Sequence, residues 1–137
     1  MYLGVDWGTK KIGLAIGLEI PYELATLDND EKVYEKIAKV CEQEKVKKII
    51  IGMPIMESGD EGGNAHKIAD FGAKLKKQTG RPVYFEPENL TTQTALDLLR
   101  EQGTSPEEIE NKVDQTAARL ILEQYIANKE ETSQEAL

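Results

Sequence analysis

The chain has 137 residues, 39% of them hydrophobic and 31% charged, with a net charge of -8. That length supports one domain with a core of its own and leaves no room for a second, and the acidic balance excludes a coat protein that binds nucleic acid by displacing counterions. Cys41 and His66 are each the only residue of their kind, which excludes an internal disulfide and any zinc site built from several Cys and His.

Met1 to Trp7 reads as a strand and Lys11 to Leu18 as a second, with Gly8-Thr9-Lys10 as the hairpin turn between them. Pro21 to Leu27 reads as a third strand at a sheet edge, since proline is tolerated at a strand start. Asp28-Asn29-Asp30 offers helix caps. From Glu31 to about Lys45, Val33, Ile37, Val40 and Cys41 recur at helical spacing, with Cys41 a small core residue on that face. Lys47 to Gly52 is a β-branched run and so a buried strand, ended by Gly52-Met53-Pro54. Met56 to Gly63 reads as a loop rich in glycine and acids. Asn64 is placed to cap a helix from Ala65 to about Thr79, with Ala65, Ile68, Ala69, Gly72 and Leu75 inward, His66 in solvent and Gly80 as its stop.

Pro82 to Glu86 reads as a fifth strand. Thr91 or Thr92 caps the next helix, which carries Ala95, Leu96 and Leu99 and ends at Gly103. Ser105-Pro106-Glu107-Glu108 has the form of a capping box with proline at the first helical position, and the last helix runs to about Asn128. The acidic stretch from Glu130 to Glu135 reads as a frayed end. The expected organisation is one mixed α/β domain over residues 1–128, with a disordered tail over 129–137. No apolar run approaches the ~20 residues needed to cross a bilayer, and no signal-type segment is visible. A cytoplasmic protein without a membrane partner is therefore expected.

Three acids stand out. Asp6 ends an apolar strand, where an unpaired carboxylate costs several kcal/mol, so something must compensate it. Asp114 lies three, four, seven and eleven residues before Ala117, Ala118, Ile121 and Tyr125, which places it on the core-facing stripe of the last helix. Glu86 and Glu88 follow the fifth strand at what should be its carboxyl end, where ligands of open α/β sheets bind. Oxygen ligands without imidazole or thiolate suit Mg²⁺ or Mn²⁺. Cations held in this way catalyse phosphodiester cleavage by a two-metal mechanism. Around Asp6, Lys10 and Lys11 read either as phosphate contacts or as solvated turn lysines. Trp7 reads as packing beside the turn or as a base-stacking ring. Thr9, Thr91 and Thr92 read as phosphate donors, the last two equally well as caps.

These motifs resemble a known family. Val5-Asp6-Trp7-Gly8-Thr9-Lys10-Lys11-Ile12-Gly13-Leu14-Ala15 is similar to the opening signature of the YqgF/RuvX family of Holliday-junction-resolvase-like proteins. Ile50-Ile51-Gly52-Met53-Pro54 resembles its second motif, Leu90-Thr91-Thr92 the end of its third, and the stretch from Val113 to Leu122 its fourth. The resemblance covers about residues 1 to 128. It implies an RNase H-like fold with sheet order 3-2-1-4-5 flanked by helices, and catalytic, metal-holding acids at Asp6, Glu88 and Asp114. It also implies Mg²⁺- or Mn²⁺-dependent hydrolysis of nucleic acid, with a role in maturing the 5′ end of pre-16S rRNA. Gly8, Thr9, Lys10, Lys11, Thr91 and Thr92 become the expected substrate-binding residues. The third motif departs from the family pattern, with Pro87 and Asn89 where Asp and Arg are usual; an alternative register makes Glu86 the strand-end acid.

Three other readings compete with this one. A Holliday-junction resolvase acting on DNA keeps the same site. A nuclease-inactive binding or scaffold protein fits the acidic charge and the Asn89 departure. A sugar-kinase or actin-like ATPase shares the Asp-x-Gly-Thr hairpin but needs two such domains. The expected partner is RNA, with a DNA junction as the alternative, and the expected state is a monomer or weak homodimer.

Overall fold

The computed structural model describes residues 1–54, 64–88 and 91–135, and the side chains of all of these except 88, 91, 92 and 130–135. Five strands are present: β1 (Tyr2–Trp7), β2 (Lys11–Gly17), β3 (Tyr22–Asp28), β4 (Lys48–Pro54) and β5 (Val83–Glu88). The helices are α1 (Val33–Glu44), α2 (Ala65–Thr79), α3 (Thr91–Glu101) and α4 (Pro106–Glu135). The strands form one mixed sheet in the order β3-β2-β1-β4-β5, as the family resemblance implies. β1 runs antiparallel to β2 and parallel to β4, and β5 is parallel to β4. The carboxyl ends of β1, β4 and β5 therefore share one rim.

The pleat sorts the strand residues into two unlike faces. On one face Leu3, Val5, Ile12, Leu14, Ile16, Ile49 and Ile51 form the main core with Val33, Ile37 and Cys41 of α1 and Ile68, Phe71 and Leu75 of α2. Trp7 packs against this cluster, which matches its reading as a packing residue. On the other face Gly4, Gly13 and Ala15 give β1 and β2 a low surface, and α4 lies close upon it. A Cβ on Gly4 would come within 2.7 Å of the Ala118 carbonyl oxygen, and one on Gly13 within 1.9 Å of the Asp114 carbonyl oxygen. Ile50, Ile121, Leu122 and Ile126 make a smaller second core on this side, and α3 packs against α4.

Several local expectations are corrected. α1 begins at Val33 rather than Glu31, and its N-cap residue, Lys32, makes no side-chain cap; Asp28 pairs with Lys11 and Asn29 holds the β1–β2 turn, while Asp30 Oδ1 accepts the Lys32 backbone N–H at 3.0 Å. Asn64 stands before α2 but makes no capping hydrogen bond with its side chain. In α2 it is Phe71, not Ala69, that faces the core, since the buried stripe follows Ile68, Phe71, Gly72 and Leu75. β5 extends two residues past Glu86, because Pro87 and Glu88 still find register partners in Met53 and Pro54. The α4 backbone is helical to Glu135 instead of stopping near Asn128; beyond Asn128 it holds mostly Lys, Glu and Gln, good helix formers, with Thr132 and Ser133 among them and no Pro or Gly. Gly80 does end α2 in the left-handed conformation, at φ 71°. Ser105 Oγ accepts the Glu108 backbone N–H at 3.3 Å, one half of the expected capping box. The 56–63 loop, Asn89 and Leu90 lie outside the described residues.

Candidate active site

Asp6 pairs directly with Gly13 across the β1–β2 ladder. Directly opposed residues project to the same face, so the Asp6 carboxylate lies on the α4 side. Gly13 leaves that face bare, and the backbone of Asp114 and Gln115 fills the space, with Gln115 N 2.7 Å from where a Gly13 Cβ would be. The glycine thus sets Asp114 of the last helix beside Asp6 of the first strand. Both acids are half-buried. Burial pushes the Asp114 carboxyl above its ordinary value, and Lys11 works in the opposite direction. A carboxyl so placed resists ionisation until positive charge is supplied.

The β1–β2 turn lies on the same rim. Asn29 fastens it twice: its side-chain Nδ2 donates to the Gly8 carbonyl at 2.7 Å, and its backbone N–H donates to the Lys10 carbonyl at 2.9 Å. Lys11 is ion-paired with Asp28, which raises its pKa, with a smaller contribution from Asp114. Thr9 and Lys10 are exposed and Gly8 is half-buried. Lys11, Thr26, Glu110 and Asn111 line a shallow polar cleft beside the turn.

β5 brings its two acids to different surroundings. Glu86 is buried, and its Oε2 accepts hydrogen bonds from Gln124 Nε2 at 2.7 Å and Asn128 Nδ2 at 2.9 Å. Gln124 also donates to the Pro87 carbonyl at 2.6 Å. This carboxylate clamps β5 to the far half of α4; Gln124 is ten residues beyond Asp114, or ~15 Å along the helix. Glu88 is the last residue of β5, in register with Pro54. Its side chain lies outside the described residues, as do those of Thr91 and Thr92, which open α3. Among the described residues, no three His, Cys, Asp or Glu side chains gather closely enough to hold a metal ion.

Two features escaped the sequence reading. Asn29 looked like a helix cap within an Asp-Asn-Asp run, and nothing local distinguishes a cap from a clamp on a distant turn. Gly13 did carry a signal, because a glycine inside an otherwise apolar strand marks a close approach of another backbone.

The family model RuvX, described as Holliday junction resolvase, matches residues 1–128. A protein of Lactococcus lactis subsp. lactis named "Putative pre-16S rRNA nuclease" is 33% identical over 131 residues, covering 90% of this chain and 92% of the relative. A protein of the same name from Oleidesulfovibrio alaskensis is 31% identical over 130 residues, covering 91% and 90%. Among solved structures, Thermus thermophilus RuvC in complex with a Holliday junction substrate superposes with a TM-score of 0.53 at 13% identity, covering 88% of this chain and 90% of that one. At that identity the likeness shows the fold, which is RNase H-like.

Proposed function

The chain belongs to the RuvX family, Holliday-junction-resolvase-like nucleases, and from that premise we propose that it matures the 5′ end of precursor 16S rRNA, with Asp6, Glu88 and Asp114 as its catalytic carboxylates. The family's description and the relatives' names both denote a nuclease acting on nucleic acid. The precursor-rRNA substrate is the relatives' name carried to this chain, and a cytoplasmic setting goes with it. The observation that carries the site is the seat of Asp114 over Gly13, the residue paired with Asp6. Glu86 is committed to Gln124 and Asn128, which leaves Glu88, two residues nearer the carboxyl end of β5, as that strand's acid for the site.

The donors fit Mg²⁺ or Mn²⁺. Asp6 and Asp114 offer oxygen alone, and Asp114 is an acid whose ionisation burial opposes. A hard divalent cation, when bound, supplies the positive charge that polarises a phosphodiester toward attack by water. Asp6 and Asp114 would hold such a cation at the strand end, where it would draw the scissile phosphate. The Gly8–Lys11 turn offers backbone N–H groups and the Lys10 ammonium to the phosphate, and Asn29 keeps the turn in shape for it. The first turn of α3, opened by Thr91 and Thr92, offers the N–H end of a helix to the flanking phosphate.

The test is cleavage, with Mn²⁺ present, of single-stranded RNA spanning the 5′ junction of precursor 16S rRNA. Asp6→Asn is expected to lower the rate by about 10³-fold or more, the loss of several kcal/mol of charge stabilisation. A wild type that cuts neither this RNA nor a four-way DNA junction would falsify the enzyme reading. Cutting of the junction alone would replace the RNA substrate with DNA.

A further inference from the structure

A second cluster of unusual composition lies at the opposite rim, where β1, β4 and β5 begin. Tyr2, Lys48 and Tyr84 start or nearly start these strands, and Tyr125 and Lys129 reach them from α4. The Lys48 ammonium sits 5.4 Å from the centroids of both the Tyr2 and Tyr84 rings. The Lys129 ammonium sits 5.0 Å from the Tyr2 centroid and donates to the Tyr2 hydroxyl at 2.7 Å. Tyr125 meets Tyr2 edge-on at 6.0 Å and Tyr84 at 6.3 Å.

Two properties set this patch apart from packing. The chain has 25 acids against 17 bases, yet among the described residues neither Lys48 nor Lys129 is ion-paired with a carboxylate. Both ammonium groups are held over rings, Lys48 half-buried between two of them and Lys129 exposed to solvent. The ring at the edge is also open: Tyr84 is 43% exposed on edge strand β5. Open aromatic faces combined with unneutralised cations are what single-stranded nucleic acid binds, bases stacking on rings and phosphates meeting ammonium groups. Tyr84 also shares a face of β5 with Glu86, so the edge leads from the patch up to the carboxylate rim.

We infer that the Tyr2–Tyr84–Tyr125 rings with Lys48 and Lys129 form a second contact site for single-stranded RNA, holding the substrate on the far side of the sheet edge from the cut. The inference rests on the nuclease reading for its substrate class. It makes affinity depend on length: an oligomer confined to the carboxylate rim misses the patch, and a longer one engages it.

The test is fluorescence anisotropy with labelled oligouridylates, one short and one several times longer, on the full chain with Ca²⁺ in place of Mg²⁺ or Mn²⁺, so that the carboxylate rim is offered a cation while cleavage is suppressed. Tyr84→Leu keeps an apolar side chain but removes the stacking face. It is expected to weaken the long oligomer by about fivefold or more and leave the short one unchanged. Lys48→Gln with Lys129→Gln is expected to weaken the long oligomer and to flatten its salt dependence by about one unit of slope for each phosphate no longer neutralised. Thermal melts of the same variants separate binding from folding: a cluster that merely fastens α4 to the sheet lowers Tm and leaves affinity and salt slope unchanged, which overturns the inference. A wild type that binds both lengths equally overturns it too. If the wild type cuts nothing in Mn²⁺ but these losses appear, the nuclease reading fails and the contact site stands. If it cuts, and the variants bind long RNA as the wild type does, the contact site fails alone.

Discussion

Asp114 concentrates the electrostatic problem of the site in one side chain. Burial favours its protonated form, so its folded pKa lies above the ordinary 3.8. At a pH below 3.8 the carboxyl is neutral in folded and unfolded chains alike and costs nothing. As pH rises through that value the unfolded chain ionises first. A destabilising contribution then builds until the folded carboxyl ionises, and it remains at neutral pH. Asp114→Asn is therefore expected to raise Tm at about pH 7 in the absence of metal and to lose that advantage at a pH below 3.8. Because the carboxyl is only half-buried, water screens the effect, and the rise is at most about 4 °C. Melts of the two proteins in EDTA at both pH values check this; a variant that melts lower than wild type at neutral pH contradicts it. Glu86 is the contrasting acid. Two side-chain amides satisfy it, so it clamps β5 to α4 instead of waiting for a cation.

The packing of α4 on its sheet face decides whether the two aspartates meet. That face was only partly legible in the residues. The apolar run of β2 and the β-branched run of β4 announced buried strands, and the spacing from Asp114 to Ala117, Ala118 and Ile121 announced the inward stripe of α4. The position of α4 over Gly4 and Gly13 was legible only as glycines inside apolar strands, which mark a close approach without naming what approaches, because periodicity reports which way a residue faces but not how near the next layer lies. Helix starts failed for a related reason: Asp30 and Asn29 carry capping chemistry, but the tertiary fold uses Asn29 to hold the β1–β2 turn. Gly13→Ala tests the seat itself. Its Cβ would need the α4 backbone to retreat from 1.9 Å, and backbone has no rotamer by which to yield. The expected cost is about 1–3 kcal/mol, with cleavage lost because Asp114 moves away from Asp6. Denaturant unfolding and the cleavage assay read the two effects. Gly4→Ala, at 2.7 Å from the Ala118 carbonyl, is the milder control and should retain more activity. Equal losses in both variants would mean that α4 adjusts as a rigid whole and that Gly13 has no special part.

At the scale of the molecule, stability and chemistry occupy different regions. The larger core lies between the sheet and the α1–α2 layer, built from Leu3, Leu14, Ile49 and their neighbours. The aspartates lie on the other face, at a rim open to water on one side. Acidic overall charge disfavours a phosphate chain everywhere except where positive charge is concentrated. Metal at the aspartates is thus expected to matter for substrate and little for folding. If Mg²⁺ or Mn²⁺ binds there, it stabilises only by mass action, about 1.4 kcal/mol when supplied at about ten times its Kd. Leu14→Ala, which opens a cavity in the main core, is expected to cost about 2–5 kcal/mol whatever the metal. EDTA should therefore abolish cleavage while leaving a single cooperative melt, with Tm lowered less than by Leu14→Ala. A chain that unfolds outright on chelation would place the metal in the structural framework of the domain, and the separation between core and rim would not hold.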